Sequence, residues 1–161
     1  MAVMRAGHIE QLGSADAVYG SPATEYVARF LGIRNSVELR HEGAWVTSAG
    51  PIEGDLGLAP ASGAMQLYLR PENLKLAANR ADLSVGPLAA LPAGRIVDAL
   101  HSGGTVDYVI DVNQTTLYSS VADPRRRFHP GDAVQPFFTP SDALVYAQGR
   151  LLAPARSPGR T

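Results

Sequence analysis

Cysteine is absent from these 161 residues, and lysine occurs once, at Lys75 between Leu74 and Leu76. Without thiols there is no disulfide framework and no thiolate chemistry, which fits a reducing compartment. With its only lysine in that setting, the sequence holds no phosphate-binding P-loop. Such a loop ends in Gly-Lys-Ser/Thr, so that backbone N–H groups cradle the phosphates and the lysine reaches them. No apolar run approaches the length of a membrane span, and the first residues lack the layout of a signal peptide. Any membrane connection is therefore expected to run through partner proteins. Positive charge is not in excess either: 14 Lys and Arg stand against 15 Asp and Glu, a formal net charge of −1. That balance argues against a surface built around phosphate-rich partners.

What is present describes a soluble globular chain, 45% hydrophobic and 18% charged, long enough for one domain or one domain with an appendage. Residues 1–13 read as a β-hairpin: two short apolar runs flank a turn at Gly7, which can adopt positive φ. A hairpin of this size is marginal alone in water. It is expected to be mobile or to pair with another copy, as the torn edge of a larger sheet. Residues 14–33 read as linker helices. Ser14 caps a short helix stopped by Gly20, and Ser21 caps a better one with Pro22 at its first position, Glu25 near the positive dipole end and Gly32 as terminator. Ala23, Tyr26, Val27, Phe30 and Leu31 fall on one face, predicted to dock on the domain behind.

From residue 34 the character changes to short strands punctuated by Gly and Pro. Val37-Glu38-Leu39-Arg40 pairs with Ala44-Trp45-Val46-Thr47 across Glu42-Gly43, and a loop follows with one short strand near Ile52. Gln66-Leu67-Tyr68-Leu69 is a strand that ends at Arg70-Pro71-Glu72, since Pro71 cannot donate to a ladder and holds Arg70 extended. Arg70 and Glu72 are expected to brace the turn. Residues 95–100, 106–112 and 115–121 give three strands, turning at Gly103-Gly104 and Asn113-Gln114. Pro130-Gly131-Asp132 precedes Ala133-Val134-Gln135, and residues 142–147 close the set. Short strands at this spacing predict a small barrel or sandwich rather than a βαβ sheet. The domain is placed at 34–152, with a disordered tail at 153–161.

Two ordered sets of residues resemble one family. The first runs Val3-Met4-Arg5-Ala6-Gly7-His8-Ile9-Glu10-Gln11-Leu12-Gly13, then Tyr19, Pro22, Phe30 and Gly32. It is similar to the segment of bacterial ABC importer ATP-binding subunits that lies just past the nucleotide-binding domain. The branch is that serving polyamines, ferric iron, sulfate, molybdate, phosphonates and sugars. The second set is Arg70-Pro71-Glu72, Gly94, Gly103-Gly104, Val106-Asp107-Tyr108 and Pro130-Gly131-Asp132. It resembles that family's transport-associated OB-type domain, called TOBE. The resemblance implies a mainly β, OB-type small barrel or sandwich of antiparallel strands, preceded by a β-hairpin remnant and one or two short helices. It implies a chain lacking the ATPase domain, without catalytic or cofactor-binding residues of its own. Gly7, Glu10, Gln11, Gly13, Tyr19, Pro22, Phe30, Gly32, Arg70, Pro71, Glu72, Gly131 and Asp132 would be structural motif positions. The full subunit would use ATP and Mg, form a homodimer, meet permease subunits through its ATPase domain and sit on the cytoplasmic face of the membrane.

Few residues suggest chemistry of their own. Leu100-His101-Ser102-Gly103-Gly104 has the look of a transporter signature, but its flanks alternate at period two, so it is a strand turn and not a helix N-terminus. His8, His41, His101 and His129 are scattered without metal-site spacing. Asp107 and Asp111 share one strand face and read as solvated. Arg125-Arg126-Arg127 is the only dense positive run and the candidate for binding a small oxyanion. Three readings of function therefore stand in order: a non-catalytic regulatory and dimerisation domain, a small-oxyanion-binding domain, and a single-stranded nucleic-acid binder.

Overall fold

The computed structural model describes residues 1–83, 86–125 and 127–152. The expected tail at 153–161 lies outside them, as does Arg126 of the basic run. The chain opens with the hairpin β1 (Ala2–Arg5) and β2 (His8–Leu12), then α1 (Ala15–Gly20) and α2 (Glu25–Phe30). Next come β3 (Asn35–His41), β4 (Trp45–Thr47), β5 (Gly50–Pro51), β6 (Met65–Leu69), β7 (Lys75–Ala77) and β8 (Ala89–Ala90). The long strands β9 (Gly94–Ser102), β10 (Thr105–Val112) and β11 (Thr115–Ala122) follow. The chain then runs through β12 (Ala133–Phe138), β13 (Leu144–Ala147) and β14 (Arg150–Leu151).

Apart from the hairpin, the strands form two six-stranded antiparallel sheets. One has the order β11-β10-β9-β12-β7, with β8 also on β12; the other runs β14-β13-β6-β3-β4-β5. Alternation explains how they pack. In β10, Val106, Tyr108, Ile110 and Val112 are buried while Asp107 and Asp111 are exposed. These inward residues join Val37, Leu39, Trp45, Met65, Leu67 and Leu69 of the other sheet in a single core. Tight approach needs glycine at Gly94, where a Cβ would lie 2.7 Å from Val112 Cγ2. There β9 leaves β10's end and pairs with Val134 of β12. Asn113 and Gln114 both take positive φ, at 48° and 68°, in the two-residue turn joining β10 to β11.

The second sheet is covered on its outer face too, around β6 and β13. Met65, Leu67 and Leu69 of β6 face the core, while Tyr68 turns the other way to meet Ala28, Ile33, Leu144 and Tyr146. Ala28 belongs to α2, so this helix packs on the β domain as expected, but it starts later than its sequence suggests. Thr24, not Ser21, is the N-cap, its Oγ1 accepting from the Val27 amide at 3.3 Å. Residues 23–25 are claimed instead by the β13–β14 turn and β14: Leu151 N–H donates to Ala23 O, and Glu25 N–H to Gly149 O. Gly32 ends the helix as predicted, at φ 79°, with Gly32 N–H on Arg29 O and Ile33 N–H on Ala28 O. Gly20 does not end α1 but completes it, and Ser21 is the C-cap.

The docking face also differs from the predicted stripe. Phe30 is 62% exposed, and the residues that bury are Val27 and Ala28. Six residues give under two turns of helix, too few for one stripe to hold both neighbours. Val27 therefore packs on Val3 and Val18, and Ala28 on the β sheet. Nor is the hairpin a loose edge. Val3 is fully buried, Gln11 bonds Ser21 O and the Ala23 amide, and Tyr26 donates to Met4 O. At the other end Asp142 lies in a 3-10 turn (Pro140–Asp142), where Pro140 delays the strand to Leu144.

Candidate functional site

Arg70-Pro71-Glu72 does more than brace its own turn. Pro71 opens a 3-10 turn (Pro71–Asn73) that follows β6 and keeps Arg70 extended, at φ −68° and ψ 142°. Arg70 is 9% exposed, its guanidinium 4.5 Å from the Tyr19 ring, and it donates to the Tyr19 carbonyl near the α1 C-terminus. A cation at that end of a helix meets the orphan carbonyls and the negative pole of the dipole. The Tyr19 hydroxyl in turn donates to Glu72 Oε1 at 3.1 Å. Arg70 and Glu72 are thus not an ion pair. They grip one tyrosine from two sides, and so fasten α1 to the end of β6.

Two more phenols extend this seam. Tyr146 donates to Pro22 O at 2.8 Å and Tyr68 to Glu25 Oε1 at 3.1 Å, their rings meeting edge to face at 5.4 Å. Burial pushes both phenols above their ordinary value, so both remain protonated donors at neutral pH. Just beyond the linker, Asn35 is 2% exposed and its amide imitates a strand. It donates to Tyr118 O and accepts from Tyr118 N–H, both at 2.7 Å, while Arg34 lies 3.8 Å over the Tyr118 ring. Asn35, Tyr68 and Tyr146 were not singled out from sequence. Their signal was a polar tip on strands otherwise apolar, which alone does not say what the tip will meet.

The predicted basic run is only partly brought to a site. Arg125 lines a cleft of about 390 Å³ whose walls include Leu76, Ala77, Val121, Phe128 and Phe137, with Asp82 also at its rim. Arg127 is exposed and is not among the lining residues. Tyr108, at the base, uses its hydroxyl to accept from the Phe128 amide. A second cleft, of about 460 Å³, lies between Arg34, Glu72, Asp98, Asp107 and Tyr118. Pro130-Gly131-Asp132 forms a turn in which Asp132 accepts from the His129 amide and Arg95 donates to Gly131 O. The four histidines are all exposed, and no cluster of three potential metal ligands occurs among the described residues. No helix among those residues is long and apolar enough to cross a membrane.

Two antiparallel sheets over one core, with a helix-bearing segment fastened to the outside, define a small OB-type β module. Comparison with known proteins narrows this further. Residues 67–145 match the TOBE domain model. The chain is 31% identical over 146 residues to the spermidine/putrescine import ATP-binding protein PotA of Nitratidesulfovibrio vulgaris, covering 82% of this chain and 39% of that protein. It is 30% identical over 117 residues to the sulfate/thiosulfate import ATP-binding protein CysA of Burkholderia mallei, covering 69% and 33%. The fold is similar to that of the cytoplasmic molybdate-binding protein ModG in its molybdate-bound form. The TM-score is 0.54 at 12% identity, over 71% of this chain and 96% of ModG. Residues 67–145 form a TOBE domain, and the chain is homologous to ATP-binding subunits of ABC importers over part of their length, spanning about two-fifths or less of these two relatives.

Proposed function

We propose that this chain is a non-catalytic regulatory and dimerisation module of an ABC importer ATP-binding subunit. The full subunit hydrolyses Mg·ATP at the cytoplasmic face of the membrane and meets its permease through the ATPase domain. The observation that carries the reading is the Arg70–Tyr19–Glu72 clasp. It fixes the hairpin-and-helix segment, the part that resembles the exit from an ATPase domain, onto the TOBE fold. A change in the angle of one part then displaces the other as a body, and this is what a reporter of regulatory state requires. The sequence supports the non-catalytic part, since its one lysine stands outside any Gly-Lys-Ser/Thr loop. Titration of the purified chain with Mg·ATP should show no binding; saturable binding or hydrolysis contradicts the reading. Two copies should associate, with a sedimentation mass above that of one chain.

A small-oxyanion role is the second reading. It is favoured by Arg125 at the rim of a cleft and by the likeness to a molybdate-binding protein. It ranks below the first because, among the described residues, apolar side chains and Asp82 share that cleft with one arginine. Calorimetry with molybdate, sulfate and phosphate decides it: saturable heat lost in Arg125→Ala supports it, and silence across the panel removes it.

A further inference from the structure

The two edges of the longer-stranded sheet are treated differently. Along β11, Asn35 occupies both backbone groups of Tyr118, and Ser119 Oγ donates to Leu74 O at 2.5 Å. Along β9, β12 pairs only with Gly94 and Arg95, and Ile96 completes the contact by exchanging bonds with Asp132 O and Gly131 N–H. Beyond it, among the described residues, no strand pairs with the outer edge of residues 97–102. An unpaired edge is a template for another chain.

The register says which groups are offered. Ser102 pairs with Thr105 across a two-residue turn, so Asp98, Leu100 and Ser102 direct their backbone bonds to β10. Ala99 and His101 direct theirs outward. Two observations agree: the Ala99 amide is taken by Asp98 Oδ1 at 2.8 Å, and the register shift beside Val109 leaves Val97 as an extra residue between Ile96 and Asp98. Leu100 is 63% exposed and Val97 57%.

We infer that the β9 edge is where a second copy of this chain docks, pairing antiparallel about a two-fold axis at Leu100. This rests on the dimer reading above and names its surface. Outward residues must pair with outward residues, so Ala99 lies opposite His101 of the second copy. Leu100 then meets Leu100, and Asp98 faces Ser102. Apolar meets apolar and no like charges are opposed, which is why the occupant is a copy of the chain itself. Docking exchanges the Asp98–Ala99 bond for strand bonds and continues the sheet across the axis.

Leu100 faces itself in a non-hydrogen-bonded pair, where Cα atoms stand about 4.5 Å apart, within disulfide reach. The natural chain has no cysteine, so single-cysteine variants of the full 161-residue chain report cleanly. Under mild oxidation Leu100→Cys should become mostly a covalent dimer on a non-reducing gel, while Arg40→Cys, exposed on the other sheet, should stay largely monomeric. In sedimentation, Leu100→Asp should weaken association at least tenfold while its far-ultraviolet circular dichroism spectrum stays that of the wild type. A wild-type dimer with no effect of Leu100→Asp and no selective cross-linking overturns the β9 interface and leaves self-association standing. A wild-type chain monomeric at every concentration overturns both.

Discussion

The N-terminal 33 residues and the β domain behind them are held by different forces. The β domain buries a continuous apolar core drawn from both sheets. The hairpin and helices bury a small apolar set, Val3, Val18, Val27 and Ala28, and depend besides on directed bonds from Tyr19, Tyr26, Arg70 and Tyr146. A core of that kind scales with area and tolerates small shifts, whereas a few directed bonds hold only at one geometry. The first segment therefore takes its order from the second. Its few bonds can open locally without unfolding what it rests on.

Substitutions should separate the two regions by the size and reach of their effects. Phe138→Ala empties a fully buried site in the core and should cost about 3–5 kcal/mol, lowering the whole denaturant transition. A cost under about 1 kcal/mol would mean the sheets are not closely packed there. Asn35→Ala leaves the Tyr118 N–H and C=O unmatched and should cost roughly 2–3 kcal/mol, with faster amide exchange at the β11 edge. Tyr146→Phe strands the Pro22 carbonyl and should cost about 1–2 kcal/mol, loosening residues 21–25 before the sheets. The pH dependence of the same seam has a definite sign. Tyr68 and Tyr146 have folded-state pKa values raised above the ordinary 10.0, so their contribution is complete below pH 10 and falls as pH rises beyond it. In the wild type, stability should drop more steeply above pH 10 than in Tyr146→Phe; parallel curves would contradict the burial. Smallest of all, Phe30→Ser should change stability by less than about 0.5 kcal/mol, because the side chain is mostly in water.

Phe30 also shows where the sequence stopped being informative. Periodicity placed it on a buried stripe, but α2 is only six residues long and is wedged between two unlike neighbours. Which residues bury was settled by Val3 and Tyr68, distant in sequence. The strands of the β domain were legible because alternation and turn residues are local signals: β10, the Asn113-Gln114 turn and the Gly103-Gly104 turn all stand where their patterns put them. Strand β14 was missed since two residues carry no periodicity, yet its pairing moves the start of α2 from Ser21 to Thr24. Arg70 and Glu72 were recognisable as a phrase. Their purpose was not, because the tyrosine they hold lies some fifty residues upstream.

The clasp is best tested by native-state hydrogen exchange on Arg70→Ala beside the wild type. Loss of the guanidinium should free the amides of Val18 in α1, of its C-cap Ser21 and of the hairpin, raising their exchange at least tenfold. The β9–β10–β11 ladders should stay as protected as before. Equal loosening of both regions, or no change in α1, would contradict the account of a segment whose α1 end is fastened to the TOBE fold through Arg70.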